Sequence, residues 1–422
     1  WMNGSLLGAI WALPVVLATA EQPADTHASA PQFRAGAFAI DVTPTELPVI
    51  INGSMREHSS AKIVDRLHAR CLVLDDSRGQ VAIVVVDSCM MPRSLLDEAK
   101  QLAAEATGLQ TDKILISATH THAAPSVMPV LGSRRDETYA AFLPRQIAKG
   151  IEQAHARLAP ARIGWAIGRD ETNVACRRWL MKPGTLGPNP FGETGQRAMM
   201  HPGVDNPNAI RPTGPVDPEV AVLSVQTAAG RPLALLANYS MHYVGGPAVS
   251  SDYFGMFCEE IAQLIQTPPG DHPFVAMLSN GTSGDAWCQD YAKPKRRFDR
   301  RSVARDVAQA AFAAYQTIEY RSWAPLVMKE RVLELPVRMP TKEDAVKAHA
   351  IRERAEQEGV EAVGVLPWVY AGETLALREM PPTRALKLQA LRIGDLGITA
   401  IPNEVFSSTG LTIKKQSPLE TT

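Results

Sequence analysis

His120-Thr121-His122 stands just beyond the apolar run Ile114-Leu115-Ile116. If that strand continues, residues two apart face the same side and both imidazoles address one point. Two neutral imidazoles are borderline-soft donors suited to zinc. The alternative is a pair that caps a strand end by hydrogen bonding. His242 follows the apolar run Leu233 to Ala237, and Glu404 follows Ile398 to Ile401. With one histidine of the pair they supply two imidazoles and a carboxylate, a set that catalytic zinc uses while keeping a position open for water. Two further runs end in polar residues: Val84 to Val86 in Asp87-Ser88, and Phe274 to Leu278 in the segment Ser279 to Asp285. Ligands of open α/β sheets bind beyond the carboxyl ends of strands, so these ends predict one shared site.

The elements that must carry those ends alternate short apolar runs with helical stretches, which predicts an α/β fold. The reading is a mixed, largely parallel sheet flanked by helices, in one large catalytic domain over residues 33–422. Strands are expected near residues 81–86, 114–116, 220–225, 233–237 and 274–278. Ser94 can cap a helix with Leu95, Ala99, Leu102 and Ala106 on its apolar face, stopped by Gly108. Helical stretches follow at 138–157, where Pro144 interrupts or kinks the pattern, and near 254–265 and 302–315. Thr341 and Asp344 form a capping pair for a charged helix ending near Gly359. No internal repeat is visible. From Lys182 to Pro218 the periodicity fails amid Pro, Gly and Asn. A loop of that length is a lid, a binding loop or a surface insertion.

Composition narrows the function. Of 422 residues, 45% are hydrophobic and 21% charged, an ordinary globular mix. A net charge of −1 gives no field favouring nucleic acid or anionic lipid. The basic run Lys293 to Arg297 reads as a solvated surface patch. Five scattered cysteines without a C-x-x-C pair support neither a zinc knuckle nor a thioredoxin motif. Leu6 to Ala20 is apolar and ends in Ala18-Thr19-Ala20, as a signal peptide would, although no Lys or Arg precedes it. It falls short of the about 20 residues that span a bilayer. Residues 1–20 therefore read as a signal-peptide remnant and 21–32 as a linker, with export to the periplasm or outside and no transmembrane span in the mature chain. A chain that begins with Trp1 is expected to start inside a longer reading frame, or to have its true start at Met2.

Several segments, in order, resemble the neutral ceramidases. They are Asp65 to Arg70, the Val84-Val85-Val86 strand closed by Asp87, and Ser117 to Pro125, which looks like the family's G-T-H-T-H-S-G-P. His242 followed by Ser250-Ser251-Asp252-Tyr253-Phe254-Gly255 and the segment Ile401 to Phe406 complete the set. The resemblance implies that His120, His242 and Glu404 hold zinc and that His122 faces the substrate or the water on the metal. It also implies an arginine from an N-R-S-like segment, here Arg177 with Arg178 as the reserve. The family's fourth ligand, a tyrosine downstream of the glutamate, would lie beyond Thr422, so the catalytic domain is expected to be incomplete at that end. The family's G-D-x-S segment reads Gly284-Asp285-Ala286-Trp287 here, with Ser283 close by. The implied activity is hydrolysis of an N-acyl sphingoid amide or a related N-acyl compound by zinc-activated water, with no serine nucleophile required. The competing readings are a metallohydrolase of a non-lipid amide or ester, and a binding protein on a degenerate ceramidase-like fold.

Overall fold

A computed structural model describes residues 31–246, 248–267 and 273–422. The expected signal peptide, and all but the last two residues of the linker, lie outside the described residues. Residues 31–422 form one compact unit.

The chain starts with β1 (Arg34–Asp41), β2 (His68–Asp75) and β3 (Gln80–Val86), crosses over through α1 (Arg93–Thr107) to β4 (Ile114–Ala118), and returns through α2 (Glu137–Ala156). It then repeats that plan. β5 (Ala159–Arg169), β6 (Glu219–Thr227) and β7 (Pro232–Tyr239) are followed by α3 (Asp252–Ile265), β8 (Val275–Asn280) and α4 (Arg300–Tyr315). The strand order is β8-β7-β6-β5-β1-β2-β3-β4, so the two halves mirror each other about the β1–β5 pair. A duplication invisible in the residues is plain in the topology.

Those two central strands pair only at Arg34 with Pro160 and Ala35 with Ala159. Beyond that point the sheet folds over, and β8 comes up against β2, β3 and β4. One apolar cluster fills the space between the leaves, with Leu72, Leu74, Ile83 and Val85 from the first and Leu223, Val225, Leu236 and Met277 from the second. Alternate residues face outward: Cys71, Val73, Val84 and Val86 under α1 and α2, and Val222, Leu235, Ala237 and Leu278 under α3 and α4. The result is a helix–sheet–sheet–helix stack. A further antiparallel sheet of β9 (Leu326–Pro336), β10 (Thr383–Ile393) and β11 (Leu396–Ala400) adds Met328, Leu391 and Ile393 to the inner core.

The mixed α/β reading therefore stands, with one correction. Only β3–β4 and β7–β8 are parallel, each across a helical crossover, and the other pairings are antiparallel. Continuous apolar runs such as Val81 to Val86 read as parallel strands because those are usually buried on both faces. Here antiparallel strands are buried on both faces too, between a helix layer and the other leaf. Smaller corrections follow the same physics. Helix α1 starts at Arg93 after Pro92 rather than from a Ser94 cap, as suits the fixed backbone of proline near a helix start. Helix α2 runs unbroken through the buried Pro144, capped by Asp136, whose side chain accepts from Tyr139 N–H. The Thr341–Asp344 capping box is formed as expected, ahead of Gly359.

Candidate metal centre

The carboxyl ends of β3, β4, β7 and β8 open on one region. Beyond β4, His120 does not continue the strand: its φ of 71° puts it in the left-handed region, a conformation that costs a non-glycine residue on the order of 1–3 kcal/mol. Convergence of the two imidazoles thus comes from a turn, not from strand alternation. His120 Nε2 and His122 Nε2 lie 3.1 Å apart, and the His120 and His242 rings stand edge to face at 4.7 Å.

Each of the three rings has its Nδ1 on a backbone carbonyl: His120 on Cys89 at 2.7 Å, His122 on Gly53 at 2.9 Å and His242 on Ser283 at 3.1 Å. A carbonyl can only accept, so every Nδ1 carries a proton, and in the neutral ring that leaves Nε2 as the atom with a lone pair. Burial, chiefly, holds His122 down to about pKa 3, with neighbouring His120 adding to it. Burial also pushes His242 well below the usual histidine range, helped by Arg177. Bare, neutral nitrogens facing each other repel unless an acid or a cation sits among them. Glu404 closes the set, with Oε1 3.3 Å from His242 Nε2 and Oε2 3.7 Å from His120 Nε2. His120, His242 and Glu404 are one of two groups among the described residues whose donor atoms could hold a metal ion. The other is Cys89, His120 and His122. It is the poorer set, because burial raises the Cys89 thiol and so disfavours the thiolate a metal needs.

Glu404 follows Asn403, itself left-handed at φ 78°. Its loop is tied to the β8 exit: Gly284 N–H donates to Val405 O at 2.9 Å, and Asp285 accepts from Ser407 N–H and Oγ–H at 2.8 and 2.9 Å. The segment aligned with G-D-x-S is therefore a scaffold, and Ser283 serves through its carbonyl. Arg177 Nη2 contacts Glu404 Oε1 at 2.9 Å and Gly284 O at 2.8 Å. Arg178 points elsewhere, over the Phe406 ring. The other motif residues position backbone. Asp65 accepts from the Ser250 hydroxyl at 2.7 Å and the Ser251 hydroxyl at 2.6 Å. Asp252 accepts from Val244 and Gly245 N–H, which shapes the turn after His242. Asp87 is a fully buried partner of Arg70 at 2.8 Å.

Sequence reasoning gave no site role to four aromatic-ring residues, Tyr243, His201, Trp287 and Tyr291, although it had noted Trp287 as a departure from G-D-x-S. Tyr243 stacks on His122 at 3.6 Å and 18°. Together with Arg177, His201, Val244, Trp287 and Tyr291 it lines a cleft of about 360 Å³. His201 comes from the long aperiodic segment, which folds into short strands Ala198–Met200 and Ala209–Pro212 on either side of Arg178–Met181. Nothing in the local pattern marks His201. Tyr243 was discoverable as the neighbour of a ligand candidate, and Trp287 and Tyr291 as aromatics just past a strand end.

No protein-family model matches the chain. It is 27% identical over 241 residues to neutral ceramidase A of Dictyostelium discoideum, a match covering 52% of this chain and 30% of that protein. Its fold is similar to the crystal structure of neutral ceramidase from Pseudomonas aeruginosa, with a TM-score of 0.64 and 18% identity over 92% of this chain and 65% of that one. A structure of ceramidase complexed with C2 gives a TM-score of 0.63 and 17% identity over 91% of this chain and 65% of that one. The chain thus spans less than a third of the curated relative and under two thirds of the solved chains. The chain is similar in sequence to a neutral ceramidase over about half its length, and similar in fold to solved neutral ceramidases over nearly all of it.

Proposed function

We propose that residues 33–422 form a catalytic domain that hydrolyses the amide bond of an N-acyl, ceramide-like lipid with zinc held by His120, His242 and Glu404. The observation that carries this reading is the set of bare Nε2 atoms, each fixed by a carbonyl on its own Nδ1, converging beside one carboxylate. Zinc bound there would supply a Lewis acid and lower the pKa of a coordinated water from about 15.7 to about 7. The Gly53 carbonyl and the stacked Tyr243 ring fix His122 so that its Nε2 lies 3.1 Å from that of His120, where it would take a proton and pass it to the leaving amine. Arg177 pairs with Glu404 and orients its carboxylate. Export, suggested by the apolar Leu6–Ala20 stretch, belongs to the same reading, and no described helix is long and apolar enough to cross a membrane.

The test is zinc content and hydrolysis of an N-acyl sphingosine and a short N-acyl amino acid, before and after chelation. Stoichiometric zinc, activity lost with the metal and restored by adding it back, and preference for the sphingosine amide are expected. Undiminished hydrolysis by metal-free protein would overturn the zinc assignment. Preference for the amino-acid derivative would move the substrate to the non-lipid amides.

A further inference from the structure

The cleft that shares Arg177 with the imidazole cluster is walled by rings. Trp287 and Tyr291 lie within 23° of parallel, with centroids 6.5 Å apart. His201 stands nearly perpendicular to both, at 4.8 Å and 88° from Trp287 and at 6.0 Å and 83° from Tyr291. These rings are locked before any ligand arrives. The Trp287 indole N–H donates to the Tyr243 carbonyl at 3.1 Å, and Phe298 packs edge-on against the indole at 5.6 Å. His201 Nδ1 and the Tyr291 hydroxyl are hydrogen-bonded at 2.6 Å, while His201 N–H donates to the Arg177 carbonyl at 2.8 Å.

With the indole N–H and the His201–Tyr291 pair already engaged, what Trp287 and Tyr291 offer a ligand is their aromatic faces, beside the Arg177 guanidinium at the edge of the cleft. Such faces prefer offset-stacked or edge-to-face ring partners over saturated chains of equal area. The volume, about 360 Å³, is at the low end of the about 300–1,000 Å³ of ligand sites. One compact group fills such a volume.

We propose that this cleft is a subsite for a flat aromatic or conjugated group, so that the preferred N-acyl amide carries such a group close to the scissile bond. The inference rests on the amide-hydrolase reading and revises one part of it: the amine side stays as proposed, while the acyl side is an aromatic or conjugated group in place of a saturated chain. Trp287 is the residue that determines specificity, and His201 and Tyr291 complete the box.

The experiment separates binding from turnover. Ketone analogues in which CH2 replaces the amide N–H cannot be hydrolysed, and two are compared by calorimetry on the zinc-loaded protein: one with a phenylacetyl group, one with an octanoyl group. The phenylacetyl analogue should bind about tenfold tighter, the change that one well-packed ring contact can supply. Trp287→Phe should keep that preference and Trp287→Ser should abolish it, with zinc content unchanged in both. Equal or tighter binding of the octanoyl analogue to the unmodified protein would overturn the proposal, and so would equal weakening of both analogues by Trp287→Ser. Ring-selective binding with no hydrolysis of the matching amides would leave the subsite standing and sink the hydrolase reading. Hydrolysis without ring selectivity would do the reverse.

Discussion

The two leaves of the sandwich share one chain plan but divide the labour at their strand exits in opposite ways. In the first leaf the exit of β4 supplies the ligand candidate His120, and the neighbouring exit of β3 supplies the carbonyl of Cys89 that orients it. In the second leaf the exit of β7 supplies His242, and the exit of β8 supplies the Ser283 carbonyl that orients it. The long connections differ as well. The β1–β2 connection contributes a backbone acceptor, Gly53 O, to His122, whereas the β5–β6 connection contributes a cation, Arg177, to Glu404. A duplicated frame offers equivalent places, and which place carries a ligand and which a support is a matter of a few residues in the loops.

The sharpest way to break this comparison is to remove one ligand from each leaf. His120→Ala and His242→Ala should each abolish zinc retention and amide hydrolysis, to the same degree, as measured by metal analysis and turnover. A variant of either leaf with normal metal content and full activity would show that the leaves are not equal partners in the centre.

His122 tests the division of roles within one leaf. His122→Ala should keep zinc while turnover falls about 10²–10⁴-fold, the range for a lost proton-transfer group. Loss of zinc along with activity would make His122 a ligand.

The two supporting connections give smaller effects. Arg177→Ala should weaken metal affinity and activity by about 10–100-fold, as loss of an outer-shell partner does. Gly53→Ala should lower turnover with little change in zinc content. Gly53 has a φ of 94° and its missing Cβ is where the His122 ring lies, so a methyl group must displace that ring. If zinc titration and turnover respond identically to the two substitutions, the supports are not specialised.

The smallest expected effect concerns stability in the first leaf. Burial, with help from Arg70, keeps the pKa of His68 below the usual histidine value of 6.5. The unfolded chain takes up a proton near 6.5 that the folded His68 refuses, so stability should fall as pH drops below that value. His68→Gln should flatten the slope of denaturant-derived stability between pH 7 and pH 5, as read from paired unfolding curves. An unchanged slope would assign the acid sensitivity to other groups.

Some of this was legible in the residues alone. Apolar runs that break off into His, Asp or Glu mark strand exits, because a buried strand tolerates no such group until it leaves the core. That logic picked out His120, His122, His242 and Glu404 as candidates, whereas Arg177 ahead of Arg178 came only from the resemblance to a family N-R-S segment. Capping residues such as Thr341 and Asp344 were equally readable, because their hydrogen bonds close within one turn.

What the residues could not carry was anything set by layers meeting. Burial on both faces produces the same apolar run in a parallel and an antiparallel strand, so strand direction was decided by which leaf packs on which helices. The duplication is invisible in sequence because core positions ask only for apolar volume, which many residues satisfy. The tautomers of three histidines depend on carbonyls at positions 89, 53 and 283, and carbonyls have no residue identity to read. His201 reaches the cleft through a segment without periodicity, held by pairing with a strand some twenty residues earlier in the chain. Ligand chemistry is written in side-chain types, but the orientation that makes it a site is written in backbone contacts that only the folded chain brings together.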